Sequence, residues 1–303
     1  MNVMTSKIGG LGIILFLFVI FSSCNSKSSD EKSAVDSIKE SIDINNPTLV
    51  KLNNRLFSIP SPIQVALMVK KMNVGFHKQL MNDPGKAANY TTDFKRALNL
   101  GIYSTNLGYL NIFEQYPDAA KYFNTVRTLA KDLGIVDVFD KETMQRIEKN
   151  SSNKDSMVSI IANINRNADS YLMNNDRNNI SVLILAGGWV ESLFLMTQYN
   201  KNNKSVEINE KIGEQKHPLE NLIELLRPYY EKQSEDLDRF IESLVDLATI
   251  FDGVEIEYVY QKPTVEADKK LTIINSTSKT VINDYQLKTI TQNIEKIRTK
   301  IIE

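Results

Sequence analysis

Hydrophobic positions recur at helical intervals through most of the chain. The clearest case is the segment 61–80, where Ser61 and Pro62 form a helix start and apolar side chains follow at helical spacing as far as Leu80. Comparable spacing predicts further helices at about 92–114, 117–134, 140–149, 153–172, 180–199, 218–230 and 234–251. The pattern therefore predicts a mainly α fold.

The helical pattern occurs twice, in the segments 61–150 and 153–251. The first helices of the two segments match at an offset of 92 residues, and the second helices match at an offset of 86, which pairs Gly101 with Gly187. The offset changes between helices, where insertions are tolerated. We predict two pseudo-repeated units of three to four helices that form one helical body over 49–252. The alternative is chance similarity between amphipathic helices.

The last fifty residues change from a helical to an alternating pattern. Residues 254–258 alternate apolar and acidic side chains, and residues 271–274 are apolar and rich in β-branched types. Asn283 then supplies a cap for a closing helix, whose apolar residues share one face as far as Ile301. The segment 253–303 is therefore predicted to form a small β-hairpin followed by a C-terminal helix.

The first residues have the pattern of a bacterial export signal. Residues 8–21 are almost wholly apolar, and as a helix they would span about 21 Å, less than the roughly 30 Å of a bilayer core. The ending at Cys24 resembles the lipobox of bacterial lipoproteins, in which the cysteine is acylated, although Phe21 stands where that pattern usually has Leu. We predict a signal peptide at 1–23, a lipid on Cys24 and a polar tether over 24–48. The alternative is an ordinary signal peptide ahead of an incidental free cysteine.

Composition excludes several kinds of function. The formal net charge is −1, so the chain has no basic excess for binding a nucleic-acid backbone. Cys24 is the only cysteine, and its lipidation would leave none for a disulfide, a thiolate nucleophile or a metal ligand. His77 and His217 are the only histidines, and named catalytic motifs such as H-E-x-x-H and the P-loop are absent from the sequence. We therefore predict no nucleic-acid partner, no metal and no cofactor.

Glu191 is the single charge in the apolar helix predicted at 180–199. A helix that is apolar on all sides lies in a protein core or in a membrane, and the charge favours the core. A buried carboxylate has to be paired, hydrogen-bonded or protonated. One interpretation is a structural ion pair with an arginine such as Arg166 or Arg227. The other is a ligand pocket that Glu191 forms with residues of its own helix and of the matching helix, namely Tyr103, Thr105, Asn106, Trp189 and Ser192.

A second candidate site is the polar segment 211–218, which we expect to form a loop ahead of a helix. Amide groups at a helix N-terminus bind anions, and Glu214 and Lys216 are the side chains that could assist a ligand there. The alternative is an ordinary exposed loop, in which His217 is only a neighbour of the helix cap.

Three segments of the chain carry a resemblance to a protein family. The stretches 187–193, 212–216 and 56–62 resemble a family of uncharacterised, mostly α-helical lipoproteins of Gram-negative bacteria. The resemblance covers most of the chain after the signal. It implies a lipid-anchored protein of the cell envelope, at the outer membrane with a periplasmic or surface face. It carries no assigned activity, and therefore no catalytic residues.

These observations lead to two functional hypotheses. The first is a membrane-tethered binding or scaffolding module, attached through the lipid on Cys24, whose ligand is a protein, a peptide or a glycan. The alternative is an envelope hydrolase that uses Glu191 with a second carboxylate, since the separation of two such groups depends on the fold. The absence of a nucleophile and base set favours the first hypothesis.

Overall fold

The chain is described here by a computed structural model that covers residues 48–52, 55–59, 62–71, 75–203, 205–266, 268 and 271–303. The predicted signal peptide, the predicted lipidation site at Cys24 and the predicted tether as far as Pro47 lie outside the described residues.

Helices dominate the described residues, which confirms the prediction of a mainly α fold. Ten α-helices form within them: α1 (Pro62–Lys71), α2 (Asp93–Ile112), α3 (Tyr116–Asp132), α4 (Lys141–Asn150), α5 (Lys154–Asn174), α6 (Asn178–Asn203), α7 (Val206–Gly213), α8 (Lys216–Leu226), α9 (Glu235–Phe251) and α10 (Asp284–Ile302). Polar caps fix several of the starts. The Thr92 hydroxyl accepts a hydrogen bond from the Lys95 amide at 3.2 Å, and Asn283 forms a capping box with Gln286 at the start of α10.

Short antiparallel strands precede α1 and separate α9 from α10 in the sequence. The described strands are β1 (Thr48–Leu52), β2 (Arg55–Ile59), β3 (Glu255–Val259), β4 (Thr264–Glu266), β5 (Leu271–Ile273) and β6 (Thr277–Val281). β1 pairs with β2, β3 pairs with β6, and β4 pairs with β5. The last two pairs are successive ladders of one long hairpin, which we call the β arm (residues 255–266 and 271–281). The predicted C-terminal hairpin and closing helix are thereby confirmed.

Two details of the strands differ from the sequence prediction. The alternating segment 254–258 pairs with β6, whereas the apolar segment 271–274 contributes β5 and pairs with β4. The hydrophobic pattern also gives no indication of the N-terminal hairpin, because β1 and β2 are only five residues each.

Helices α2 and α6 cross at the centre of the fold, in close contact at two glycines. A Cβ atom on Gly101 would overlap the carbonyl oxygen of Ile184 and lie 2.6 Å from the amide nitrogen of Gly188. A Cβ atom on Gly187 would overlap the carbonyl oxygen of Leu98 and lie 2.7 Å from its carbonyl carbon. The two backbones can approach this closely only because neither crossing residue has a side chain.

The contacts at the crossing are reciprocal. Gly101 meets Ile184, and Gly187 meets Leu98, so each contact residue of α2 corresponds to one of α6 at the offset of 86 residues. The surrounding helices follow the same scheme: α1 and α5 each pack against both α2 and α6, while α3 packs on α2 and α8 packs on α6. Two equivalent units about a local two-fold axis would have this arrangement. The internal duplication itself stays a prediction.

Helix α6 lies in the core of the fold. Among the described residues it is the one helix with the length and composition of a membrane span, and 78% of its apolar window is buried inside the protein. Burial of that extent by the protein's own helices is the property of a core helix.

The first predicted helix is shorter in the structure than the hydrophobic pattern suggests. It was expected over 61–80, but α1 ends at Lys71, and Lys78–Leu80 forms a separate 3₁₀ turn. Among the described residues after Lys71, Phe76 and Leu80 pack against the core from outside any α-helix. The Phe76 ring packs 5.6 Å from the ring of Tyr109, and the Gly75 carbonyl accepts a hydrogen bond from the Tyr199 hydroxyl at 3.1 Å. Helical spacing of apolar residues therefore arises here without a helix.

The expected loop at 211–218 is wrong. Helix α7 continues to Gly213 and α8 begins at Lys216, so two residues connect them. The physical reason is burial on either side of the polar residues, since Ile208, Ile212 and Leu219 have no exposed surface. These side chains hold the segment against the core as two short helices.

Candidate functional site

Glu191 forms a buried ion pair with an arginine of the C-terminal helix. The glutamate has no exposed surface. Arg298 of α10 donates from Nε to Glu191 Oε2 at 2.6 Å and from Nη2 to Oε1 at 3.0 Å. Its Nη2 also donates to the Leu80 carbonyl at 2.9 Å, and the guanidinium carbon lies 4.1 Å from the centre of the Phe194 ring. The pair is thus bidentate, with an aromatic face against the cation.

A third hydrogen bond completes the surroundings of the carboxylate. Asn106 of α2 donates from Nδ2 to Glu191 Oε1 at 2.6 Å. Burial by itself lowers the pKa of Arg298, but the neighbouring Glu191 carboxylate raises it and the net shift is upward. The guanidinium therefore keeps its charge inside the core. The Glu191 carboxylate therefore accepts three hydrogen bonds within the protein and has no exposed surface at which a ligand could contact it.

The arginine that pairs with Glu191 is not one of the two that the sequence suggested. Arg166 is exposed and donates to the side chain of Asn163, which lies one helical turn before it. Arg227 pairs with Glu224 at 2.8 Å on the surface. The expectation of an ion pair is met, but its choice of Arg166 or Arg227 is wrong, because the C-terminal helix packs directly on α6 and brings Arg298 to the carboxylate.

A network of buried amides extends from the ion pair to the end of α10. Asn106 Oδ1 accepts a hydrogen bond from the backbone amide of Asn82 at 3.0 Å, and Asn82 Nδ2 donates to the Tyr90 hydroxyl at 3.1 Å. Asn99 Nδ2 donates to the Ile301 carbonyl at 2.9 Å. These bonds satisfy most of the buried polar atoms of the three amides, with Asn82 Oδ1 the exception, and they fasten the last turn of α10 to α2.

The six residues of the predicted pocket all lie in this core. The structure brings Thr105 and Asn106 of α2 against Gly188 and Glu191 of α6. The exposed fractions of the six side chains do not exceed 3%; the residues are Tyr103, Thr105, Asn106, Trp189, Glu191 and Ser192. A ligand could reach them only if the helices separated. Their role in ligand binding stays a prediction.

The polar atoms of these residues are used by bonds within the protein. The Tyr103 hydroxyl donates to the Asp83 carbonyl at 2.6 Å, and burial raises the pKa of Tyr103 far above the usual range for tyrosine. Trp189 Nε1 donates to Gln215 Oε1 at 3.1 Å, and the Ser192 hydroxyl donates to the carbonyl of Gly188, one turn earlier in α6. Each side chain thus has an internal partner in place of a ligand.

Glu214 and Lys216 make separate contacts within the protein and do not converge on one site. Glu214 pairs with Lys211 at 2.7 Å, within one turn of helix. Lys216 Nζ donates to the backbone carbonyls of Asp252 and Val254, both at 3.1 Å, just beyond the end of α9. A cation at a helix C-terminus stabilises it. The observed contacts of Lys216 therefore hold α8 to the end of α9, and its predicted binding role stays untested.

The β arm exposes large apolar side chains that sequence analysis did not single out. The exposed fractions are 64% for Tyr258, 70% for Tyr260, 66% for Val265 and 75% for Ile274. Soluble surfaces carry single exposed apolar residues routinely, but contiguous groups mark interaction sites. The alternating residues 254–258 predict a strand from the sequence alone. The exposed side chains on the outer face of that strand could have been inferred from this pattern.

A cleft lies where α2, α6 and α9 begin, and it is the second feature that the sequence did not indicate. Its volume is about 280 Å³. It is lined by the residues Thr92, Asp93, Phe94, Asn179, Ile180, Leu183, Gln233, Ser234, Asp236 and Leu237. These residues come from three separate stretches of sequence, so that only the packing of the three helices brings them together.

Metal ligands are not grouped in the part of the chain that the structure describes. There, no set of three or more His, Cys, Asp or Glu side chains is close enough to hold a metal ion. The predictions that the protein needs neither a metal nor a cofactor remain predictions.

Comparison with known proteins provides no functional assignment, so the function has to be inferred from the residues themselves. The resemblance to helical lipoproteins that rests on the stretches 187–193, 212–216 and 56–62 stays an expectation from the sequence. Three features of the described fold bear on function: the sealed Glu191–Arg298 pair, the exposed β arm and the cleft at the helix starts. No protein-family model matches the chain, and searches of curated proteins and of solved structures give no match.

Proposed function

We propose that the protein is a lipid-anchored binding module of the bacterial cell envelope that docks a partner protein through its β arm. The anchor is the predicted lipid on Cys24, at the outer membrane. The single observation that supports docking is the group of exposed apolar side chains on the arm, which includes Tyr258, Tyr260 and Ile274. Tyrosine is enriched at protein interfaces because its ring buries much surface while its hydroxyl remains bonded.

The charges of the arm favour a different protein as the partner rather than a second copy of this chain. Strand β3 carries Glu255 and Glu257, and Glu257 lies at its centre. Two copies of β3 paired antiparallel about that centre would place the two Glu257 side chains opposite each other. Like charges directly opposite each other are destabilising, and charged residues on edge strands prevent self-pairing.

Photo-cross-linking from the arm tests the docking. A photoreactive phenylalanine analogue replaces Tyr260 or Ile274 in the full chain. The variant is expressed in the bacterium, so that it is present in the cell envelope during cross-linking. The control position is Val245 of α9, an apolar residue that is also exposed, at 45%. We expect adducts with one polypeptide, identified by mass spectrometry, from both arm positions and not from Val245. Adducts only between copies of this chain, or none from the arm, would contradict the proposal.

The anchor is tested separately by a Cys24→Ser substitution. If Cys24 is acylated and is the attachment point, the variant should leave the membrane pellet and appear in the soluble fraction. A variant that stays in the pellet would show that another segment or an uncleaved signal holds the protein. This result would leave the docking role of the arm unaffected, so the two parts of the proposal fail independently.

The hydrolase alternative receives no support from the surroundings of Glu191. Its carboxylate accepts hydrogen bonds from Asn106 and Arg298 and has no exposed surface. A general acid or base has to reach a substrate directly or through one water molecule. Glu191 does not meet this requirement while α2, α6 and α10 stay packed around it.

A further inference from the structure

We propose that the cleft at the starts of α2, α6 and α9 binds a small neutral polyhydroxylated molecule, such as a single sugar ring. This inference concerns a site remote from the β arm in sequence and does not rest on the docking of a partner protein. It is carried by the shape of the cleft, by its mixture of apolar and hydrogen-bonding groups and by its balance of charge.

The inner wall of the cleft is apolar. Ile180, Leu183 and Leu237 form its floor but are themselves almost fully covered, with exposed fractions of 4%, 2% and 1%, so Phe94 is the apolar side chain that presents surface to a ligand. Phe94 is half-buried, and its ring is fixed in an edge-to-face contact with Phe240, with ring centres 6.1 Å apart at 70°. Such a wall is preorganised, because the ring does not need to be ordered when a ligand arrives. The C–H face of a sugar ring is the kind of surface that packs on it.

The rim of the cleft both donates and accepts hydrogen bonds. Asn179 Nδ2 donates to Gln233 Oε1 at 3.2 Å, which closes one side and leaves the second polar atom of each amide for a ligand. The hydroxyls of Thr92 and Ser234 accept capping bonds from backbone amides at 3.2 Å and can still donate. Ligand hydroxyls also donate and accept, so they fit such a rim better than groups that only donate or only accept.

Charge selects against ionic ligands. Asp93 and Asp236 line the cleft and would repel an anion. Three helix N-termini, each with a partial positive charge, face the same region and disfavour a cation. Asp93 Oδ1 lies 3.6 Å from Arg96 Nη1, and Asp236 accepts a hydrogen bond from Arg239 at 2.7 Å, so each carboxylate already has a cationic partner and attracts a cationic ligand only weakly. A neutral ligand is the type that remains.

The volume limits the size of the ligand. Sites for drug-sized molecules usually have volumes of about 300–1,000 Å³. At about 280 Å³, this cleft is slightly smaller than that range and is open on one side. One ring with its hydroxyls fits these dimensions, whereas a longer chain would have to extend into solvent.

Saturation-transfer NMR on the full chain, in a detergent without a sugar headgroup, tests this proposal. The probes are glucose and N-acetylglucosamine, compared with the charged glucose 6-phosphate and glucosamine. We expect transfer to at least one neutral sugar and weaker transfer to the charged ones. A Gln233→Ala substitution should weaken binding by about three- to tenfold, the effect of one lost hydrogen bond.

The matched control is Gln292→Ala on α10, where another exposed glutamine lines a separate shallow surface groove. It should leave the sugar signal unchanged. Because Gln233 is exposed, its substitution should not unfold the protein, and a thermal melt of each variant verifies this. The proposal is overturned if no neutral sugar gives a signal, if a charged sugar binds better, or if both glutamine variants weaken the signal equally.

Discussion

The crossing of α2 and α6 gives a quantitative prediction for a single added methyl group. In Gly187→Ala, the new Cβ would lie 2.7 Å from the carbonyl carbon of Leu98, whereas carbon atoms in contact are normally about 3.5–4.0 Å apart. The new Cβ would also overlap the Leu98 carbonyl oxygen, and because these atoms are backbone and cannot rotate away, the helices would have to separate by more than ~1 Å. Overpacking of this kind costs about 1–3 kcal/mol, and sometimes more.

The intrinsic preference of alanine for helices works in the opposite direction. Alanine is favoured over glycine by about 1 kcal/mol in a helix interior. Since the contact involves rigid backbone on both sides, we expect the upper part of the overpacking range and a net loss of about 2 kcal/mol for Gly187→Ala and for Gly101→Ala. In a domain of this size that loss corresponds to a decrease in Tm of about 4–8 °C.

Gly108 of α2 provides the matched control. A Cβ there would lie 3.6 Å from the Ile63 side chain, which is an ordinary contact. Gly108→Ala should therefore gain most of the helix preference and stabilise the protein by up to about 1 kcal/mol. Denaturant unfolding followed by the fluorescence of Trp189, the single tryptophan, measures all three variants.

The double variant Gly101→Ala/Gly187→Ala tests the shared origin of the two effects. Once the helices have separated for one methyl group, the second methyl group should cost less, so the combined loss should be smaller than the sum of the single losses. The reasoning is refuted if Gly187→Ala is as stable as the original protein, or if Gly108→Ala is destabilised as much as Gly101→Ala.

Two further predictions concern the buried polar groups. Glu191→Gln should lower the free energy of unfolding by about 3–5 kcal/mol, because it leaves the Arg298 cation buried without its carboxylate. Replacing both residues with Leu and Met should recover most of the loss. A Glu191→Gln protein of unchanged stability in denaturant would contradict this. Burial raises the pKa of Tyr199 to about 12, and it raises the pKa values of Tyr103 and Tyr122 beyond the usual range. Above the ordinary value of about 10, the unfolded chain loses phenol protons that the folded chain keeps, so stability should be complete below pH 10 and fall as the pH rises toward 12. Thermal melts and phenolate absorbance measured together check this, and full titration of all tyrosines before unfolding would be the contrary result.

The helices were predictable where local signals and tertiary packing agree. Thr92 and Asn283 cap α2 and α10 at the positions that the sequence indicated. The prediction failed where an apolar residue reaches the core without being in a helix. Phe76 has the spacing of a helical face, yet it follows Gly75 in an irregular segment, because its packing depends on Tyr109 of another helix. Apolar periodicity indicates which residues are buried. A single sequence does not show whether a helix or an irregular segment brings them to the core.

The candidate site was harder to predict, for a reason that Glu191 illustrates. A charge in an apolar helix suggests a functional residue, but the environment of Glu191 depends on a partner 107 residues away. The sequence alone does not distinguish that arginine from the other arginines of the chain. The same applies to Asn106 and Trp189, whose polar atoms meet internal partners. Polar residues in a buried helix have to be satisfied inside the protein, so they are most often structural. Groups that remain available to a ligand lie at the helix starts and on the β arm, where Asn, Gln, Ser and Tyr are common and carry no distinctive pattern. In a chain without a catalytic motif, binding residues are therefore expected among the polar groups that the fold leaves exposed beside apolar surface. Unusual residues within the most apolar segment are a poorer guide to them.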